Sequence, residues 1–151
     1  MGIQTVLLAL IALAAGTLAP IQMAANAQLA KGVNGAIAAT IISFTAGWWL
    51  LILINSVRFR QFPSVSDIVR TPVHLLLIGG AIGAIFVSAN VLVAPRLGSA
   101  ATASLVIAGQ LIGALTVDRL GLFDFAFRGL SAGRLVGVAL VLAGAMLVRF
   151  G

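Results

Sequence analysis

The chain has 151 residues, of which 62% are hydrophobic and only 8% are charged. A soluble domain carries about 25% charged residues, so this chain cannot cover a water-facing surface and is predicted to be an integral membrane protein. It contains no cysteine and a single histidine, which excludes a disulfide framework, thiol catalysis and the usual zinc sites. No cofactor, metal or catalytic residue is therefore expected.

The formal net charge of +6 does not indicate binding to nucleic acid. The basic residues are scattered between the apolar stretches, with no basic run and no basic patch interleaved with aromatic residues. In membrane proteins such residues collect in cytoplasmic loops, where they contact anionic lipid. We expect the lipid bilayer to be the partner of these charges.

Apolar stretches of about 20 residues predict the membrane spans. The first stretch is too long for a signal peptide and lacks a positively charged start, so we interpret it as a span. The turn 95–98 is expected to separate the third span from the fourth, and Asp118 to end the fourth. The prediction is a single all-α, polytopic transmembrane domain over 1–151, with spans at about 3–29, 35–57, 72–94, 99–117 and 132–150.

The second half of the first span holds polar residues where lipid would favour leucine. Pro20 cannot donate to the carbonyl of Gly16 and its ring crowds that carbonyl, so we expect a kinked or partly unwound helix that acts as a hinge. Gln22 and Asn26 are four residues apart and share a helical face. Their amides should face protein or a water-filled cavity. They either line a substrate path or hydrogen-bond between helices as structural contacts.

Four further positions are candidates for a solute site. Gln110 lies in the middle of the fourth span, either as a second polar contact to substrate or as a structural one. Phe44 and Trp48 in the second span are candidates for the walls of a pocket, although aromatic residues in spans more often face lipid or fill a core. Asp118 is either a simple interfacial carboxylate, a gate, or one partner of a salt bridge.

Three pairs of glycines with four-residue spacing predict helix packing. They are Gly79 with Gly83, Gly109 with Gly113, and Gly133 with Gly137. Packing inside one chain is the simpler interpretation, and a dimer face in the fourth or fifth span is the alternative.

The distribution of charge limits both the orientation and the mechanism. There is no glutamate, and no ionisable residue lies near the centre of a span, which argues against proton-coupled exchange of cations. An odd number of spans places the two ends on opposite sides of the membrane. The positive residues favour a cytoplasmic N-terminus only moderately, since Arg58, Arg60, Arg70, Arg119, Arg128 and Arg134 oppose Lys31, Arg96 and Arg149.

The order of several residues along the chain resembles the YdcZ-like family of small bacterial inner-membrane proteins, within the drug/metabolite transporter superfamily. The resemblance covers nearly the whole chain. It rests on Gly16, Pro20, Gln22 and Asn26, then Phe44 and Gly47, then 94–98, then Gly109 and Gln110, then Asp118 and 121–123.

This resemblance implies a five-helix half-unit of a ten-helix inverted-repeat transporter, located in the bacterial inner membrane. It points to Pro20, Gln22, Asn26, Gln110 and Asp118 as the functional positions. We therefore expect a transporter of small molecules that works by alternating access, as an antiparallel homodimer or with an oppositely oriented homologous subunit. A solute channel and an accessory membrane subunit are the alternatives, and an intramembrane enzyme is disfavoured because no nucleophile–base pair or carboxylate dyad is present.

Overall fold

The computed structural model describes residues 2–59, 62–124 and 127–150. The chain is all-helical over this part, as the sequence predicts, and five of its helices are long and apolar enough to cross a membrane. A short helix, α3, lies between the second and third of these. The helices are α1 Ile3–Gly32, α2 Ala36–Ile54, α3 Val65–Arg70, α4 Val73–Leu97, α5 Ser99–Leu120 and α6 Ala132–Phe150.

A long apolar helix is present for each of the five predicted spans, but several helix ends differ from the ends that hydropathy predicts. The prediction of 132–150 matches α6, whereas α2 continues beyond Ile54 as a π-helical turn over Asn55–Phe59. The prediction that Asp118 ends its span is wrong, because α5 continues to Leu120 and places Asp118 in its last turn.

The predicted turn 95–98 is also wrong in extent. Pro95 lies inside α4, which continues to Leu97, so only Gly98 separates α4 from α5. Gly98 has a φ of 84°, a backbone conformation that glycine adopts without the steric penalty of a side chain. A proline near a helix end removes one hydrogen bond without ending the helix, and the glycine with its positive φ separates the two helices.

Pro20 lies within α1, and the helix is unbroken there. The expectation of a partly unwound segment is therefore wrong. Pro20 has no N–H, so the helix lacks one hydrogen bond at this position. Gly16 has no side chain that could clash with the proline ring. The hinge role of Gly16 and Pro20 stays a prediction.

The chain divides into two compact units. The first comprises Met1–Ile21 with Val93–Gly151, and the second comprises Gln22–Leu92. The division crosses α1 one residue after Pro20. The prediction of one domain over 1–151 stays a prediction.

In the first unit, α5 packs against α6 as a helical hairpin. Its buried side chains are small: Ala101, Thr102 and Ala108 on α5, and Ala145 on α6. Small residues let two helices approach closely where lipid supplies no hydrophobic drive. Gly121 in the left-handed conformation ends α5, and the Ser131 hydroxyl accepts a hydrogen bond from the Arg134 N–H at the start of α6.

Helix α3 in the second unit begins where local capping dictates. Ser64 is its N-cap, and Ser66 and Asp67 lie inside the helix. The Ser64 hydroxyl accepts from the Asp67 N–H at 3.2 Å, and the Asp67 carboxylate accepts from the Ser64 N–H at 3.0 Å. This reciprocal capping box holds a helix of only six residues in place.

Candidate functional site

Gln22 and Asn26 lie one turn apart on α1, as their spacing predicts, but they differ in burial. Gln22 is exposed, whereas Asn26 is 5% exposed. The Asn26 Nδ2 is buried and donates to no acceptor among the described residues. A buried amide donor without a partner costs about 1–3 kcal/mol, so Asn26 is the polar group of α1 that most needs a partner from outside the described chain.

Phe44 lies on α2 and points to α4. Its ring comes within 3.5 Å of the position that a Cβ on Gly83 would take. Gly83 therefore provides the space that the ring occupies, and both residues belong to the second unit. The pairing of Phe44 with Gly83 was not predicted, because it joins two helices that are far apart in sequence.

Trp48 lies one turn after Phe44 and is exposed. It makes an edge-to-face contact with Trp49, with the ring centroids 4.8 Å apart. Its role as a wall of a solute pocket stays a prediction.

Two hydroxyl groups link α2 to α4 in the same unit. The Ser88 hydroxyl donates to Thr40 Oγ1 at 3.0 Å, and Thr40 donates to the Ala36 carbonyl at 2.8 Å. Thr40 is buried. Hydroxyl residues in apolar helices commonly bond to their own helix, which Thr40 does and Ser88 does not. The only feature of the sequence that could have suggested this link is the presence of small hydroxyl residues in apolar spans.

Gln110 lies at the middle of α5, in the first unit. It is exposed and forms no hydrogen bond with a described residue. An amide facing lipid is unfavourable because lipid offers no partner. A role for Gln110 in a solute site stays a prediction. Its amide would need hydrogen-bond partners from outside the described chain.

Asp118 forms a salt bridge with Arg134, with Oδ2 and the guanidinium nitrogen 3.2 Å apart. Its backbone carbonyl accepts from the Arg128 N–H at 2.9 Å. Asp118 therefore binds both the chain leaving α5 and the first turn of α6. The salt-bridge alternative is present, with the partner in a helix rather than in a loop. A gating role stays a prediction.

The glycine pairs are mostly unoccupied within the chain. Gly83 packs against Phe44, but no described atom lies within 4 Å of an added Cβ at the other five positions. Close packing inside one chain is not seen at these five glycines, and the buried residues of α5 and α6 are alanines and one threonine. Packing against a second copy stays a prediction for Gly109, Gly113, Gly133 and Gly137, which lie in the fourth and fifth spans.

Comparison with known proteins gives one match. Residues 7–147 match the model of the family described as "Putative inner membrane exporter, YdcZ", which covers all five spans except the extreme ends. No curated protein and no solved structure matches the chain.

Proposed function

Because this chain belongs to the YdcZ family of inner-membrane exporters, we propose that it moves small molecules by alternating access as a pair of oppositely oriented copies. The coarser predictions of a five-span inner-membrane protein and of a membrane transporter are confirmed by the family match and the five apolar helices. The mechanism, the pairing and the solute site are the parts that we propose.

The observation that carries the proposal is the unpartnered donor of Asn26. Its Nδ2 is buried in a membrane helix and reaches no described acceptor. The cost of burying such a donor is offset only when it forms a hydrogen bond with a partner. In a transporter, a bound solute can be that partner. The solute must then carry a hydrogen-bond acceptor, such as a carbonyl, ether or hydroxyl oxygen.

The charges of the spans narrow the class of solute. None of the three aspartates lies near a span centre, and the chain has no glutamate. The Thr40 and Ser88 hydroxyls already donate within the protein, so they offer only acceptor lone pairs. Amides, hydroxyls and aromatic rings without a fixed counter-charge suit a neutral solute, or a cation held without an opposing carboxylate.

Two oppositely oriented copies account for the size of the chain. Five helices are few to enclose a solute path, and inverted repeats with a site near the midplane give two equivalent end states. Gln22 and Asn26 of both copies line the path, with Phe44 and Trp48 as its walls. Gly16 and Pro20 supply the hinge and Asp118 the gate. No catalytic step is involved.

The test uses alanine at the two amides of the first span. Asn26→Ala and Gln22→Ala are expected to abolish the rise in melting temperature that uncharged, acceptor-bearing solutes cause in the wild type. The same variants should leave assembly into pairs intact, because Gln22 is exposed and the buried Nδ2 of Asn26 has no hydrogen-bond partner in the described chain. A panel of small amides, polyols and nucleosides supplies the solutes, and cross-linking measures assembly.

Gln28→Ala is the matched control, since it removes an exposed amide from the same helix and should change neither result. Loss of assembly with Asn26→Ala would instead favour the accessory-subunit alternative. Flux into vesicles that fails to saturate with solute concentration would favour the channel. Normal solute response in both variants would contradict the proposed site.

A further inference from the structure

Helix α3 is amphipathic over its six residues. At about 100° per residue, Val65, Ile68 and Val69 fall on one side of the helix. Ser66, Asp67 and Arg70 fall on the opposite side. The separation is complete, although the helix has fewer than two turns.

The apolar side of α3 is uncovered in the described chain. Val65 and Val69 are each 77% exposed, and the preceding Phe62 is 58% exposed. The capping box at Ser64 fixes the helix, so these side chains are held on one face. Because α3 connects the span ending at Phe59 to the span beginning at Val73, this face lies at the membrane surface.

The polar side of α3 carries one acidic and one basic residue, which differ in their partners. The Asp67 carboxylate accepts from the Ser64 hydroxyl at 2.6 Å, and the hydrogen bonds from the Ser64 side chain and backbone hold the pKa of Asp67 below its ordinary value of 3.8. Its negative charge is thus engaged within the helix cap. Arg70 is exposed and has no acidic partner within salt-bridge distance among the described residues. The sequence from 58 to 71 has three arginines against one aspartate.

We propose that residues 62–70 form an interfacial anchor that binds the lipid surface. Val65, Ile68 and Val69 lie among the upper parts of the acyl chains, and Arg70 binds the phosphate of anionic headgroups. The occupant of this face is lipid rather than protein, because the helix is tethered at both ends to membrane spans and the segment 58–71 that contains it has an excess of basic residues, which complements an anionic surface. The inference does not depend on the transport mechanism.

The absence of cysteine makes a site-specific test direct. Val69→Cys and Ser66→Cys are labelled singly with an environment-sensitive fluorophore in the full chain, reconstituted in lipid nanodiscs that expose both membrane faces. We expect nitroxide lipids labelled near the headgroup to quench the Val69 label, and aqueous iodide to quench the Ser66 label. Ile68→Cys provides a second apolar position if the Val69 variant fails to fold.

The charge is tested by lipid composition. In mixtures of phosphatidylglycerol and phosphatidylcholine, Arg70→Gln should lower the equilibrium constant for association of this face with the lipid surface by about fivefold, as expected for the loss of one basic residue, and so raise the anionic fraction needed for half-maximal lipid quenching. Lys31→Gln removes an exposed cation elsewhere and should leave this fraction unchanged.

Equal quenching of the Val69 and Ser66 labels by iodide in both lipids would overturn the anchor. Self-quenching between Val69 labels of two copies, independent of lipid composition, would also overturn it and would assign the face to a second copy.

Discussion

Replacing Asn26 by leucine is expected to abolish solute binding while leaving the chain at least as stable as the wild type. Leucine has the same number of side-chain heavy atoms, branched at the same position, and no polar atom, so it removes a buried donor that has no acceptor in the described chain. Removing such a group recovers about 1–3 kcal/mol of desolvation cost. At about 2–4 °C per kcal/mol for a chain of this size, the solute-free melting temperature should rise by several degrees.

The measurement compares melting temperatures with and without solute for Asn26→Leu and for Gln28→Leu. The control changes an exposed amide on the same helix and should keep the solute response. A strong loss of solute-free stability in Asn26→Leu would contradict the account. It would mean that Asn26 has a structural partner in the assembled protein and is not kept for a ligand.

Replacing Ala108 by leucine should disrupt the α5–α6 hairpin, whereas the same change at the neighbouring Gly109 should not. Ala108 is only 2% exposed, and extra methylene groups in a closely packed seam cost about 1–3 kcal/mol. Gly109 has no described atom within 4 Å of an added Cβ, so leucine fits there within one chain. Thermal unfolding followed by circular dichroism in detergent gives the comparison.

The same two variants also test whether Gly109 contacts a second copy of the chain. If Gly109 meets a second copy, Gly109→Leu should leave the chain folded but lower the yield of cross-linked pairs. The opposite pattern, with Ala108→Leu as stable as the wild type and Gly109→Leu unfolded, would contradict the description of the hairpin.

The spans could be predicted from the sequence because each is a long apolar stretch, and crossing a bilayer requires little else. Their ends could not, because polarity is not the same as helix termination. Asp118 lies in the last turn of α5, where its carboxylate forms a salt bridge with Arg134. Pro95 lies inside α4 because it is close to the end of that helix. Similarly, Ser64 rather than Ser66 caps α3 because Ser64 completes the reciprocal bonds with Asp67.

The candidate site was only partly accessible to sequence reasoning. Spacing placed Gln22 and Asn26 on one helical face, but which of them is buried depends on packing by residues distant in sequence. The Ser88–Thr40 hydrogen bond and the contact of Phe44 with Gly83 depend on the placement of α2 beside α4. The glycine spacing predicted close helix packing at glycines, whereas the buried residues of the α5–α6 hairpin are mainly alanines.

The pairing of oppositely oriented copies is tested most directly by the location of the C-terminus. Two reporters, one active only in the cytoplasm and one active only outside it, are fused in turn to the C-terminus at matched expression. We predict activity from both fusions, because a chain that forms antiparallel pairs with itself must insert in both orientations. Activity from one fusion alone would contradict the symmetric homodimer and would require a separate, oppositely oriented subunit.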